Sequence, residues 1–223
     1  MSILGRKESS ATKADAGKYL ITAANPDSAL AEQYRTVRNR IRTALGEAGS
    51  IRFVVSSPLP GEGKTTSALN LAVSFAGSGG KVLLIDTHFR RPGLAALLDA
   101  KSWPGLTDGL TGNGKLNELV QETGLERIDV LAAGSPLPGT GDLLNHPDLA
   151  EFLEWAAEAY PVVIIDAPAV LDSSAAVMLA GRCDGCVLVL HEGRTGVQKV
   201  QEAKRVLELG KARLIGAVLN RSK

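Results

Sequence analysis

The sequence predicts a doubly wound α/β domain on a mostly parallel sheet, and three observations predict it. Short runs rich in Val, Ile and Leu recur at 51–56, 81–86, 128–132, 162–166, 186–190 and 214–220. Several are continuous rather than alternating in polarity, as strands covered on both faces are. Between them lie stretches with the apolar spacing of helices, the order that parallel strands joined by crossover helices require.

Taken in order, residues 1–25 are rich in Ser, Ala, Gly and Lys without periodicity and are expected to form a flexible arm, leaving 26–223 as one domain. From Ser28 to Leu45, Leu30, Tyr34, Val37, Ile41 and Leu45 make one apolar helical stripe; Arg35, Arg38, Arg40 and Arg42 make a basic face. The strand at 51–56 leads into a glycine-rich loop and a helix over 65–76, where Ala68, Ala72 and Ala76 suit close packing on a sheet. Further helices are expected over 149–159, with Leu149, Phe152, Leu153 and Ala156 on one face, over 175–181, and over 195–209, where Gly210 stops the last. Trp103 and Trp155 read as packing residues.

A chain of 223 residues can bury a core without covalent staples. Its net charge of +1 lacks the basic excess of a protein that wraps nucleic acid or lies on acidic lipid. The apolar runs are too short to span a bilayer, and the polar start has no signal-peptide core, so the expected location is cytoplasmic. Cys183 and Cys186 form a C-x-x-C, but no second Cys/His pair is near and Cys186 opens an apolar strand, which favours ordinary packing over a redox or metal role. His146 and His191 have no partner at ligand spacing.

The chemistry concentrates after the first strand, in Pro60-Gly61-Glu62-Gly63-Lys64-Thr65-Thr66. Two glycines let a backbone turn tightly and aim N–H groups at phosphate oxygens, and the helix that follows offers its positive end. Lys64 supplies a point charge for the β and γ phosphates of ATP, and the Thr65 hydroxyl is placed to ligate Mg²⁺. Pro58 occupies the first glycine position of G-x-x-x-x-G-K-[ST], a departure from the P-loop pattern. Asp86 and Asp166 each close a buried strand, where a carboxylate is costly unless it serves a polar crevice; a plain loop cap is the competing explanation.

Together with Leu84-Ile85-Asp86-Thr87-His88-Phe89-Arg90-Arg91-Pro92 and Val163-Ile164-Ile165-Asp166-Ala167-Pro168, this loop resembles the three nucleotide motifs of the bacterial tyrosine kinases of exopolysaccharide and capsule export. The resemblance runs from about Ser28 to Asn220 and implies a P-loop NTPase of the deviant Walker, MinD/ParA-like group. It also implies a protein tyrosine kinase using ATP and Mg²⁺, with Lys64 on the γ-phosphoryl group, Thr65, Asp86 and Asp166 around the metal, and Asp86 orienting or deprotonating the acceptor. Glu32, Arg35 and Arg38 match the family's E-x-x-R-x-x-R oligomerisation helix and imply a ring-like homo-oligomer, against the plainer explanation of a salt-bridged exposed face. Asn220 matches the adenine-contacting residue, and the implied partner is a transmembrane polysaccharide co-polymerase on a separate chain.

The chain departs from that family in telling ways. His88 stands where the second acid of a D-x-D is expected, and an imidazole can accept a proton in its place. Asp166-Ala167-Pro168-Ala169 replaces D-x-P-P, and Pro138-Gly139-Thr140-Gly141 replaces an Asn-Pro pair. The tyrosine-rich tail has no counterpart; of Tyr19, Tyr34 and Tyr160, only Tyr19 is expected to be accessible. Two readings therefore stand, an active tyrosine kinase and a nucleotide-switched assembly module with weak or no transfer. A ParA-like ATPase is disfavoured because Leu59 stands where those proteins carry a signature lysine.

Overall fold

The computed structural model describes residues 20–46, 49–90, 92–137 and 142–221. A short helix α1 (Ile21–Ala24) precedes the long helix α2 (Ala29–Leu45), whose N-cap Ser28 accepts a hydrogen bond from the Ala31 N–H. The body then runs β1 (Ile51–Ser56), α3 (Lys64–Ala76), β2 (Val82–Asp86), α4 (Leu94–Leu97), α5 (Leu106–Leu110), β3 (Gln121–Glu122) and β4 (Ile128–Leu131). It ends with α6 (Pro147–Ala159), β5 (Val162–Asp166), α7 (Ala175–Ala180), β6 (Gly185–His191), α8 (Val197–Leu209) and β7 (Leu214–Asn220).

The seven strands form one sheet in the order β3-β4-β2-β5-β1-β6-β7. All pairs are parallel except β3 with β4. The period of two splits each central strand between two cores. Val54, Leu83, Ile85, Val163, Ile165 and Leu188 point to the face covered by α6, α7 and α8, while Phe53, Val55, Leu84, Ile164 and Val189 point to the face covered by α2 and α3. Burial on both sides explains the continuous apolar runs. The placement of β5 between β1 and β2 matters most for function, because it brings the carboxyl end of each of these strands to one crevice.

Three expectations need correction. Leu20 and Thr22, assigned to a flexible arm, belong to the packed body: Leu20 is buried, and the Thr22 N–H and hydroxyl both donate to Asn70 Oδ1, at 3.0 and 2.9 Å. Residues 1–19 of that arm, with Tyr19, lie outside the described residues. Trp103 is 63% exposed rather than packed, its indole N–H donating to Asp108, while Trp155 does stack on Phe152. The antiparallel edge strand β3 was not expected; with two residues it is too short for any periodicity to announce it.

Asn70 also donates to the Thr66 carbonyl at 2.8 Å, so one buried amide ties α1 to the helix that follows the phosphate loop. Asn70→Ala is expected to lower unfolding free energy by about 1–3 kcal/mol, since it strands the Thr22 donors. Urea denaturation reads the loss, and faster proteolysis near Leu20 should accompany it.

Candidate active site

The loop after β1 has the shape its glycines demand. Gly61 and Gly63 have φ of 79° and 91°, a region that side-chain-bearing residues enter only at a cost. Gly63 is the N-cap of α3 and brings no capping side chain, so the first N–H groups of a thirteen-residue helix are left to an outside acceptor. A Cβ at Gly63 would lie 2.2 Å from Asn220 Nδ2. Gly63→Ala should therefore weaken nucleotide binding by displacing Asn220 or the loop, and cost about 1–2 kcal/mol of stability through its φ alone. Titration with a fluorescent ATP analogue, beside urea unfolding, checks both effects.

Glu62 puts a carboxylate into a loop shaped for an anion, which requires the side chain to be held away. The structure does this: Glu62 is buried, its Oε2 accepts from the Leu59 N–H at 2.8 Å and its Oε1 accepts from the Thr195 hydroxyl. Only the backbone of Glu62 remains for a phosphate. The Glu62 carbonyl accepts from Asn220 Nδ2 at 3.0 Å, so Asn220, at the end of β7, rests against the phosphate loop. Thr195 was not singled out from sequence; the acidic residue in the loop was the signal that a donor must exist.

Asp86 and Asp166 are register partners at the ends of β2 and β5, with Asp166 also beside Val55 of β1. The chain beyond β2 is pinned by Thr87, whose N–H and hydroxyl both donate to the Asp166 carbonyl at 3.0 and 2.8 Å, and by buried Phe89. Between these anchors the His88 N–H donates to Asp86 Oδ1 at 2.8 Å, and the ring is turned into the crevice. Its Nδ1 lies 3.5 Å from Asp86 Oδ1 and 3.3 Å from Asp166 Oδ2.

These neighbours set the charges. Burial opposes a charge on His88, but Asp166 and Asp86 outweigh it and raise the imidazole to about 9. Burial likewise opposes ionisation of Asp86, yet His88 and the backbone N–H groups of His88 and Gly93 hold it below the usual carboxylate range. For Asp166 burial prevails and pushes the carboxyl up. Two carboxyl groups side by side are thus driven in opposite directions, the pattern of functional pairs.

The residues fit the groups that a phosphate loop implies. Asp166 is fully buried, and its oxygens make no hydrogen bond of good geometry; the His88 ring, with Nδ1 3.3 Å from Oδ2, is its ion-pair partner. A buried carboxylate with lone pairs to spare suits a cation, and the uncapped helix end suits a phosphate. Asp86, His88 and Asp166 are the one cluster of potential metal-ligating side chains among the described residues.

Elsewhere the structure disposes of alternatives. Burial pushes the Cys183 and Cys186 thiols up to about 12, as for packing residues. His146 accepts from the Asp148 N–H at the start of α6, and His191 Nδ1 lies 2.8 Å from the Glu192 carbonyl. Tyr34 is buried, and the Tyr160 hydroxyl donates to Asp129 at 2.6 Å. Glu32, Arg35 and Arg38 lie on α2, away from the loop; Arg35 pairs with Glu32, and Arg38 donates to the Ser74 carbonyl at 2.8 Å. Pro138–Gly141 and Arg91 lie outside the described residues. No helix among the described residues is long and apolar enough to cross a membrane.

Comparison with known proteins agrees with this fold. Residues 54–208 match the family model described as an AAA domain. The kinase domain of Escherichia coli tyrosine kinase Etk superposes with a TM-score of 0.87 at 28% identity, over 99% of this chain and 84% of that one. The cell division ATPase MinD of Pyrococcus furiosus shares the fold, with a TM-score of 0.64 at 24% identity over 78% and 72% of the two chains. The tyrosine-protein kinase YwqD of Bacillus subtilis (strain 168) is 36% identical over 206 residues, which is 92% of this chain and 87% of that protein. Identity of that level across nearly the whole of a named relative makes this chain a member of the bacterial tyrosine kinase family.

Proposed function

We propose that the protein is an ATP-dependent protein tyrosine kinase that regulates capsular or exopolysaccharide polymerisation and export. The observation that carries the reading is the adjacency of Asp86 and Asp166 at the end of the strand pair that lies beside the phosphate loop. Pro60 to Thr66 would cradle the phosphates of ATP, with Lys64 on the γ-phosphoryl group and Asn220 toward the base. Thr65, Asp86 and Asp166 would hold Mg²⁺, whose chemistry is to neutralise charge on the transferring group. Asp86, held ionised, would orient the acceptor hydroxyl and receive its proton as the oxygen bonds to the γ-phosphorus and the bond from that phosphorus to ADP breaks, releasing ADP. The buried walls of the crevice would keep water from competing.

In this reading the protein works in the cytoplasm at the inner face of the membrane, recruited by a separate transmembrane co-polymerase. It assembles with copies of itself through Glu32, Arg35 and Arg38. Because all three already bond within the chain, a ring would have to exchange or share these contacts.

A second reading, a nucleotide-gated assembly module with weak transfer, is favoured by His88, whose charged ring stands between the two carboxylates. The two are separated by incubating the full chain with Mg·ATP and scoring ADP and phosphotyrosine by mass spectrometry. Phosphotyrosine in the wild type that disappears in Asp86→Asn supports the kinase; bound ATP with neither product, and activity gained in His88→Asp, supports the module.

A further inference from the structure

We infer that Trp103 is the platform on which the tyrosine-bearing segment of the acceptor docks, so that the acceptor hydroxyl enters the site from the β4 side of the sheet. The inference deepens the kinase reading above and rests on it.

The first support is the order of the strands. β7, with Asn220 at its end, and β1, with the phosphate loop beyond it, lie on one side of Asp166 and Asp86; β4 lies on the other. With the base toward Asn220 and the phosphates in the loop, the departing ADP lies on the β7 side. In-line transfer brings the attacking oxygen from the side opposite the leaving group, which here is the β4 side. Leu131 pairs with Ile85, so Ala132 continues β4 at the level where Asp86 ends β2, one strand spacing of about 4.8 Å away. The Leu106 N–H donates to the Ala132 carbonyl at 2.8 Å, and the Thr107 N–H to the Ala133 carbonyl at 3.0 Å. These bonds seat the turn Trp103-Pro104-Gly105 on the end of β4, at the rim from which the acceptor has to come.

The second support is independent of topology. Trp103 is 63% exposed, yet its ring is fixed, because the indole N–H donates to Asp108 Oδ1 at 3.1 Å. Asp108 is buried and accepts from the Ser135 hydroxyl at 2.7 Å and from the N–H groups of Gly105 and Ser135 at 2.9 and 3.0 Å. Burial opposes its charge, but these donors hold the carboxyl below the usual carboxylate range. A lone exposed apolar side chain is ordinary. One whose polar edge is tied to a buried charge cannot fold back onto the core, and its ring has little rotamer freedom left to lose when something stacks on it. Tryptophan presented in this way is the residue most often found to anchor a partner.

The charges around it select the occupant. Arg90, just beyond β2, and Lys101, just before Trp103, are exposed and make no ion pair among the described residues. An aromatic platform between two free cations complements a tyrosine flanked by carboxylates.

The test uses the full chain with Mg·ADP and a random copolymer of glutamate and tyrosine, beside polyglutamate. Trp155→Phe leaves Trp103 as the single tryptophan of the chain, so its emission reads contact directly, and thermal unfolding beside wild type checks that the variant is folded. The copolymer should change that emission saturably, and polyglutamate should not. In steady-state kinetics with Mg·ATP, Trp103→Ala should raise KM for the copolymer by about tenfold or more, with kcat and the affinity for a fluorescent ADP analogue within about twofold of wild type. An unchanged KM, or an emission that the copolymer leaves alone, overturns the inference while phosphotyrosine on the copolymer keeps the kinase reading. If the wild type forms no phosphotyrosine, the kinase reading falls instead, and the emission titration still decides whether an acceptor segment docks on Trp103. Emission that changes with protein concentration alone would mean that a second copy covers the ring, which also overturns the inference.

Discussion

Lys64→Met should slow phosphoryl transfer by about 10²–10³-fold without costing the protein any stability. Lys64 is the first residue of α3, following the uncapped Gly63. A cation there opposes the positive end of the helix macrodipole, a clash of about 0.3–1 kcal/mol at a partly exposed position. Methionine, a good helix former of similar length, removes the clash, so chemical unfolding should show equal or slightly greater stability. The function moves the other way. If Lys64 supplies the charge that the transferring phosphoryl group meets, its loss should reduce kcat by about 10²–10³-fold, the effect of removing one preorganised electrostatic donor. A charge that destabilises its own helix and stabilises a reaction is the local conflict expected at a working site. Measuring ADP release and phosphotyrosine beside urea unfolding decides it. A variant within about tenfold of wild-type turnover would mean that Lys64 does not face the reacting group, and a variant that unfolds early would mean that it supports the fold.

Much of this arrangement is readable from the chain, and the limits are physical. The continuous runs 162–166 and 51–56 mark buried strands because their neighbours on both faces are apolar, and a carboxylate at the end of such a run stands out against them. Asp86 and Asp166 were therefore visible one at a time. That they become register partners depends on β5 entering between β2 and β1, a choice made by packing across the sheet that leaves no local mark. Position 88 likewise reads as an acid replaced by a base. Only the fold shows that the Thr87 bonds to the Asp166 carbonyl and the burial of Phe89 turn the ring between the two carboxylates. Leu20 and Thr22 escaped notice because a four-residue helix barely completes one turn, too short for an amphipathic pattern to repeat, and its partner Asn70 is a polar residue inside an apolar helix. Trp103 misled in the opposite sense: a large aromatic ring reads as core, yet here the indole N–H binds Asp108 from the surface.

The same crevice yields the largest expected change in stability. His88→Ala, measured in EDTA, leaves two buried carboxyl groups as immediate register neighbours without their imidazolium. Breaking a buried ion pair by removing one partner costs about 3–5 kcal/mol. Asp166 limits the loss, because burial already raises its pKa and a proton can replace the missing charge, so the lower half of that range is expected. For a chain of this size each kcal/mol lowers Tm by about 2–4 °C, which predicts a fall of roughly 6–16 °C. A divalent cation should reverse it. A metal present at a hundred times its dissociation constant contributes about 2.7 kcal/mol to the folded state, most of the deficit. His88→Asn separates charge from volume, since it retains polarity at the position but not the positive charge, and should behave like the alanine variant in EDTA. Thermal unfolding of wild type and both variants, with EDTA and with MgCl₂, tests the account. A deficit under about 1 kcal/mol, or one that no divalent cation restores, would show that His88 does not neutralise the carboxylates and that the crevice is not a cation site.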